Sequence, residues 1–195
     1  MKILGIIQAR MGSTRLPGKV MMQIRDKPLI GYLLDGAARS DLDGVIVASP
    51  LSDASSTLAD YVQSRMVAFL AAEEENDVAA RFLAVLNEMP RYDAFIRMCG
   101  DSPLLDPSVI NQAIAGLKMG APWVSNVGGA TPHGQHVEGS RTDFYRLAYP
   151  SFTKEDREHA GFPWYYRNGK GENTVVDTIE DFQRVKDLIC RSSPK

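Results

Sequence analysis

Short, nearly continuous apolar runs alternate with amphipathic stretches along the first 120 residues. Residues 2–8 hold Ile3, Leu4, Ile6 and Ile7, a β-branched-rich run that predicts a buried strand. After a loop with Gly12, Pro17 and Gly18, Pro28 suits the first turn of a helix whose Leu29, Leu33 and Ala37 recur every four residues. Residues 45–48 predict a second strand, and Ser52 or Asp53 is placed to cap a helix running to about Arg65. A third strand is expected over 66–70, and a helix from Asp77 to Glu88 closed by Pro90. A fourth strand is expected over 94–98, interrupted in polarity only by Arg97, with a helix over 107–119.

Strands that are apolar throughout and alternate with helices belong to a parallel sheet covered on both faces. Ligands in such folds sit beyond the C-terminal ends of the strands, so the loops after Gln8 and after Met98 should share one crevice. Beyond Pro122 the pattern weakens. Helices over 142–149 and 155–166, a short strand over 174–176 and a closing amphipathic helix over 181–189 are expected. With no repeat or linker, the 195 residues read as one domain, with 1–120 as one half and 121–195 as the other.

With 44% hydrophobic and 24% charged residues the chain has an ordinary globular composition. No apolar run approaches the roughly 20 residues of a bilayer crossing, and Gln8 and Arg10 interrupt any secretory-signal pattern. Cys99 and Cys190 build neither a disulfide framework nor a metal motif, so a reducing, cytoplasmic setting is expected. Residues 1–39 carry seven basic and two acidic side chains, whereas the remainder carries 15 basic and 22 acidic ones. A basic segment on an acidic body suits a small anionic ligand better than a nucleic-acid track.

The richest local signal is the loop from Gln8 to Lys19, with Arg10, Arg15 and Lys19 among Gly12, Ser13 and Gly18. Small residues let backbone N–H groups approach an anion, arginines offer bidentate hydrogen bonds to phosphate, and lysine is a compact point charge. The loop is neither a Walker A nor a G-x-G-x-x-G element, and a solvated basic loop is the alternative. The second signal is Gly100-Asp101 directly after a strand, where a carboxylate is well placed for a divalent ion. Asp106 before Pro107 reads as an ordinary helix cap. Asp177 reads equally as a cap or as a second metal carboxylate. His133 and His136 lack a third metal ligand nearby. His159 suits either an acceptor contact or a surface salt-bridge cluster, Cys99 a small hydrophobe at the strand end, and Trp123 and Trp164 core or subunit contacts.

The stretch Ile6-Ile-Gln-Ala-Arg-Met-Gly-Ser-Thr-Arg-Leu-Pro-Gly-Lys19 resembles the cytidylyltransferases that activate acidic sugars, the acylneuraminate and CMP-KDO synthetase-like group. The likeness is strongest to the branch of spore coat polysaccharide biosynthesis protein F. Glu75-Asn76-Asp77-Val78 with Arg81-Phe82, residues 100–107, Ser125-Asn126, Pro132-His133-Gly134, residues 156–159 and residues 176–181 extend it in the same order. The resemblance implies an α/β, Rossmann-like three-layer nucleotidyltransferase (GT-A-like) fold with a mostly parallel central sheet. It implies transfer of CMP from CTP to a sugar hydroxyl with loss of pyrophosphate, in the service of surface polysaccharide.

By the same resemblance Arg10, Ser13, Arg15 and Lys19 hold the triphosphate, with Ala9, Gly12 and Gly100 beside it and Asp77 and Arg81 near the nucleoside. Asp101 and Asp177 match ligands of Mg²⁺, the expected cofactor. Asn126, His136, Glu138 and His159 fall toward the acceptor. Where relatives follow Pro-x-Gly with Leu-Asp-Val-Glu-Val, this chain has Gln135-His136-Val137-Glu138-Gly139, so His136 replaces a carboxylate. Relatives of this kind commonly form homodimers. A nucleotidyltransferase with another donor, and a nucleotide-binding homologue without turnover, are the alternatives.

Overall fold

Continuous apolar strands need cover on both faces, and the computed structural model builds three layers to supply it. It describes residues 1–168 apart from 14, 74, 128–130 and 133, with backbone alone at 167 and 168. The central strand β1 (Ile3–Gln8) lies between β4 (Gly44–Ser49) and β6 (Ala94–Cys99), parallel to both, and β5 (Ala68–Ala71) adds in parallel outside β4. On the other side β8 (Glu138–Arg141) runs antiparallel to β6, and β7 (Trp123–Ser125) runs antiparallel to β8. The sheet order is therefore β5-β4-β1-β6-β8-β7, and β2 (Gln23–Ile24) with β3 (Lys27–Pro28) forms a separate hairpin.

Alternation along β1 divides the core. Ile3 and Ile7 face α1 (Leu29–Ala37), α2 (Thr57–Ser64) and α4 (Pro107–Lys118) through Ile30, Leu33, Leu58, Val62, Ile110 and Ile114. Leu4 and Ile6 face α3 (Val78–Glu88), α5 (Thr142–Ala148) and α7 (Phe162–Asn168) through Phe82, Val85, Tyr145, Phe162 and Tyr165. On that second face Phe95 makes edge-on contacts with Phe82, Tyr145 and Phe162, which suits the quadrupoles of the rings. Trp123 stacks on Tyr165 in the same layer. No helix among the described residues is long and apolar enough to cross a membrane.

Three element boundaries differ substantially from the sequence reading, and a fourth by one residue. The helix expected from Ser52 or Asp53 begins only at Thr57, capped by Ser56, because Asp53 turns inward from a short 3-10 turn, Leu51–Asp53. The strand expected from Met66 begins at Ala68, since Met66 sits at φ 55° and is 96% exposed. The helix expected over 155–166 is split by Ala160 and Gly161, both at positive φ, into α6 (Lys154–Glu158) and α7. A capping box between Thr153 and Asp156 starts α6, and the break lets Ala160 and Phe162 enter the core. Pro28 precedes α1 in extended conformation instead of lying inside its first turn. The strand expected over 174–176 and the helix over 181–189 lie outside the described residues.

Candidate active site

The loops that leave β1 and β6 are held against each other at the sheet's C-terminal edge. The Gly100 N–H donates to Gln8 O at 2.8 Å, and a Cβ at Gly100 would come within 2.8 Å of the Ala9 Cβ. Only glycine permits that approach. The shared crevice expected for these two loops is thus present, as a cavity of about 560 Å³.

Ala9, Arg10, Ser13, Arg15, Lys19, Arg81, Gly100, Asp101, His136 and His159 all line it. Its basic loop is closed by Gly18, at φ 68°, whose N–H donates to Met11 O at 2.8 Å. Asp53, only 5% exposed, braces the same loop from behind. Its Oδ2 accepts the Met11 N–H at 2.9 Å and lies 2.7 Å from the Ser49 hydroxyl, which is also 3.0 Å from Ala9 O. A buried carboxylate with two donors is satisfied, and it orients the backbone from which Arg10 projects.

Two of the loop's three cations have carboxylate partners. Lys19 pairs with Asp101, and Arg10 Nη1 meets Glu75 Oε1 at 2.9 Å. Arg15 is exposed on the cavity lining. Arg81 is buried and donates from Nη1 to Glu75 O at 3.0 Å. Burial, and then the nearby Arg10 charge, pull its pKa below the usual guanidinium value.

Four expected site residues stand outside the cavity lining, each for a physical reason. Gly12 backs onto the Glu75 carboxylate, 2.5 Å from where its Cβ would be. Asp77 caps α3 by accepting the Ala80 N–H at 2.8 Å, and its other oxygen meets Arg157 Nη1 at 3.1 Å. Asn126 clamps the approach to β8, donating to Gln135 O and accepting the Val137 N–H, both at 2.8 Å. Glu138 is buried against Arg97, since a guanidinium inside the sheet layer needs a counter-charge. Asp177 and His133 lie outside the described residues.

The Arg97 and Glu138 pair anchors a chain that reaches the cavity. Tyr166 donates to Glu138 Oε1 at 2.6 Å, and Arg97 Nε donates to Gln8 Oε1 at 2.9 Å. Burial lowers the Arg97 pKa, but Glu138 together with Cys99 and Tyr166 more than offsets it and the net shift is upward. Burial, with Glu138 beside it, pushes the Tyr166 hydroxyl up. Because arginine can only donate, the Gln8 oxygen must face Arg97 and its amide nitrogen is left for the cavity that Gln8 lines. Sequence reading noticed Arg97 only as a break in polarity, and it missed Gln8, Asp53 and Glu75 as site residues.

Gln135 bridges two loops, accepting the Asp106 N–H at 2.9 Å and donating to Leu104 O at 2.6 Å. Cys99 lines the cavity, and burial raises its thiol pKa. Among the described residues no group of three or more His, Cys, Asp or Glu is gathered to hold a metal. Asp101 alone, half-exposed beside Lys19, still fits Mg²⁺, which commonly takes one or two carboxylates and completes its shell with water and phosphate oxygens.

The family model described as cytidylyltransferase matches residues 4–155. The chain belongs to the cytidylyltransferase family. Among its relatives within that family, the 3-deoxy-manno-octulosonate cytidylyltransferase of Brucella ovis is 31% identical over 128 residues, 66% of this chain and 51% of that protein. The chain thus spans about half the length of the curated relatives it matches. A solved cytidylyltransferase from Leptospira borgpetersenii superposes with TM-score 0.79 at 22% identity, covering 100% of this chain and 89% of that one. The CMP:2-keto-3-deoxy-manno-octonic acid synthetase complexed with CTP superposes with TM-score 0.69 at 18% identity, covering 99% and 100%. These two likenesses carry the nucleotidyltransferase fold of the cytidylyltransferases.

Proposed function

We propose that this cytidylyltransferase moves CMP from CTP to a hydroxyl of an acidic sugar, with pyrophosphate as the leaving group. The observation that carries the reading is the meeting of Arg10, Lys19 and Asp101 in one cavity beyond the ends of β1 and β6. In that reading Arg10, Arg15 and Lys19 hold the triphosphate, with Ser13 beside it and Arg81 toward the nucleoside. The sugar oxygen attacks the α-phosphorus, the bond to the β-phosphate oxygen breaks, and the cations neutralise the charge that gathers on pyrophosphate. Glu158, His136 and His159 line the cavity and are able to accept the hydroxyl proton.

Asp101 would hold Mg²⁺, with Asp177 as the second carboxylate implied by the resemblance. When bound, that ion supplies Lewis-acid neutralisation of the phosphate oxygens. A CMP-activated sugar suits the building of surface polysaccharide in the cytoplasm, and 3-deoxy-manno-octulosonate, named for the Brucella relative, is the first acceptor to try. The narrower spore coat likeness bears on the same acceptor question.

The test is pyrophosphate release from CTP and Mg²⁺ across a panel of acidic sugars, beside calorimetry of CTP binding. Release with one of them supports the reading, whereas silence across the panel together with no CTP binding removes it. A second reading, nucleotide binding without turnover, is favoured by His136 lining the cavity at the position where the resembled family pattern implies a carboxylate. It predicts CTP binding alone, with turnover recovered on changing Gln135→Leu and His136→Asp together.

A further inference from the structure

Glu75 was not among the residues the loop pattern singled out, yet its carboxylate occupies the mouth of the basic loop. Oε1 is 2.9 Å from Arg10 Nη1, and it presses so closely on Gly12 that a Cβ there would stand 2.5 Å away. The backbone from which the side chain projects is fixed, because Glu75 O accepts from the buried Arg81 at 3.0 Å. The Arg10 and Glu75 side chains are 39% and 41% exposed, so the pair borders the cavity instead of lying sealed beneath it.

We infer that Glu75 is an internal competitor for the phosphate subsite: its carboxylate sits on Arg10 until a polyphosphate displaces it, and it reclaims Arg10 as pyrophosphate leaves. The inference rests on reading the loop around residues 9–19 as a polyphosphate grip, and it is independent of which nucleotide or sugar the cavity takes. A half-exposed ion pair made through one carboxylate oxygen is weakly held, whereas a di- or triphosphate brings more charge to the same guanidinium. The exchange therefore favours di- and triphosphates over singly charged ligands. It also lowers affinity for the product, which a tight grip would otherwise retain. Glu75 thus sets how much negative charge a ligand must bring.

The experiment is calorimetric titration of inorganic pyrophosphate into the full chain and into Glu75→Gln, Glu75→Ala and Glu73→Gln. Glu73 is an exposed acid two residues away and controls for the change in net charge. The expected result is pyrophosphate binding about two- to fivefold tighter in both Glu75 variants, as parting a weak ion pair implies, with a smaller gain in Glu73→Gln. Added salt should narrow the difference. Equal or weaker binding by the Glu75 variants, or the same gain from Glu73→Gln, overturns the inference and leaves the loop reading standing. If none of the four proteins binds pyrophosphate, the loop reading falls and the inference falls with it.

Discussion

Asp53 and Met11, 42 positions apart, are joined by a hydrogen bond of 2.9 Å from the Met11 N–H to Asp53 Oδ2. Through it an acid from the short turn that follows β4 shapes the basic loop. Asp53→Ala leaves the Met11 N–H and the Ser49 hydroxyl without this acceptor. We expect it to cost about 1.5–3 kcal/mol of stability, the usual size for a hydrogen bond to a charged group, and to raise the KM for CTP. Urea unfolding and steady-state kinetics measure both, and a variant matching the wild type in each would show that the brace is idle.

The Arg97–Glu138 pair should behave as a unit. Glu138→Leu alone strands a guanidinium in the sheet layer and should cost about 3–5 kcal/mol, while Arg97→Met with Glu138→Leu should recover much of that loss. Chemical denaturation of the single and double variants gives the coupling. Additive losses would mean that the two side chains act separately.

At the cavity itself, Lys19→Ala and Asp101→Asn should each lower turnover about 10²–10³-fold, the effect of removing one well-placed stabilising group. Both side chains are partly exposed, so melting temperatures should stay close to that of the wild type. Near-normal turnover in Asp101→Asn would remove the proposed metal ligand.

A pH effect is expected at Asp35, which Lys27 and then Arg65 hold below the ordinary carboxylate value of 3.8. A carboxyl whose folded pKa is depressed contributes its stability above the unfolded value and loses it as pH falls through the folded value. The stability gap between wild type and Asp35→Asn should therefore be full above about pH 5 and close on acidification below about pH 4. Because the three side chains are partly exposed, the gap should be small and shrink in salt. Unfolding curves at several pH values test this, and a gap that widens in acid contradicts it.

Cys99 offers a chemical reporter of the cavity. Burial raises its thiol pKa, so less thiolate is present at pH 8 than for an ordinary thiol. In a Cys190→Ser background, alkylation at pH 8 should be slower than that of free cysteine, and CTP should slow it further. Rapid labelling that ignores CTP would place the nucleotide elsewhere.

The strands, most helix starts and the two chemistry-bearing loops were legible because local pattern controls them. Four apolar runs separated by amphipathic stretches require a covered parallel sheet, and Asp77 before an apolar helix is a cap by its position alone. Family membership could be read in the same way from the loop between Ile6 and Lys19. The misread boundaries share a cause. Asp53, Met66 and the 159–161 break each answer to a distant contact or an unusual backbone angle that windowed periodicity does not register.

What the sequence alone determined, then, was which segments are buried, which fold they require and where cations and carboxylates gather along the chain. Which of those groups face one another was decided by the strand order. Placing β1 between β4 and β6, and β8 beyond β6, brought Asp53 to Met11, Glu75 to Arg10, Asp101 to Lys19 and Glu138 to Arg97. Every one of these pairs is separated by more than 40 positions. Local propensity acts over a few residues, while a buried or crowded charge selects its partner from whatever the packed sheet sets within reach.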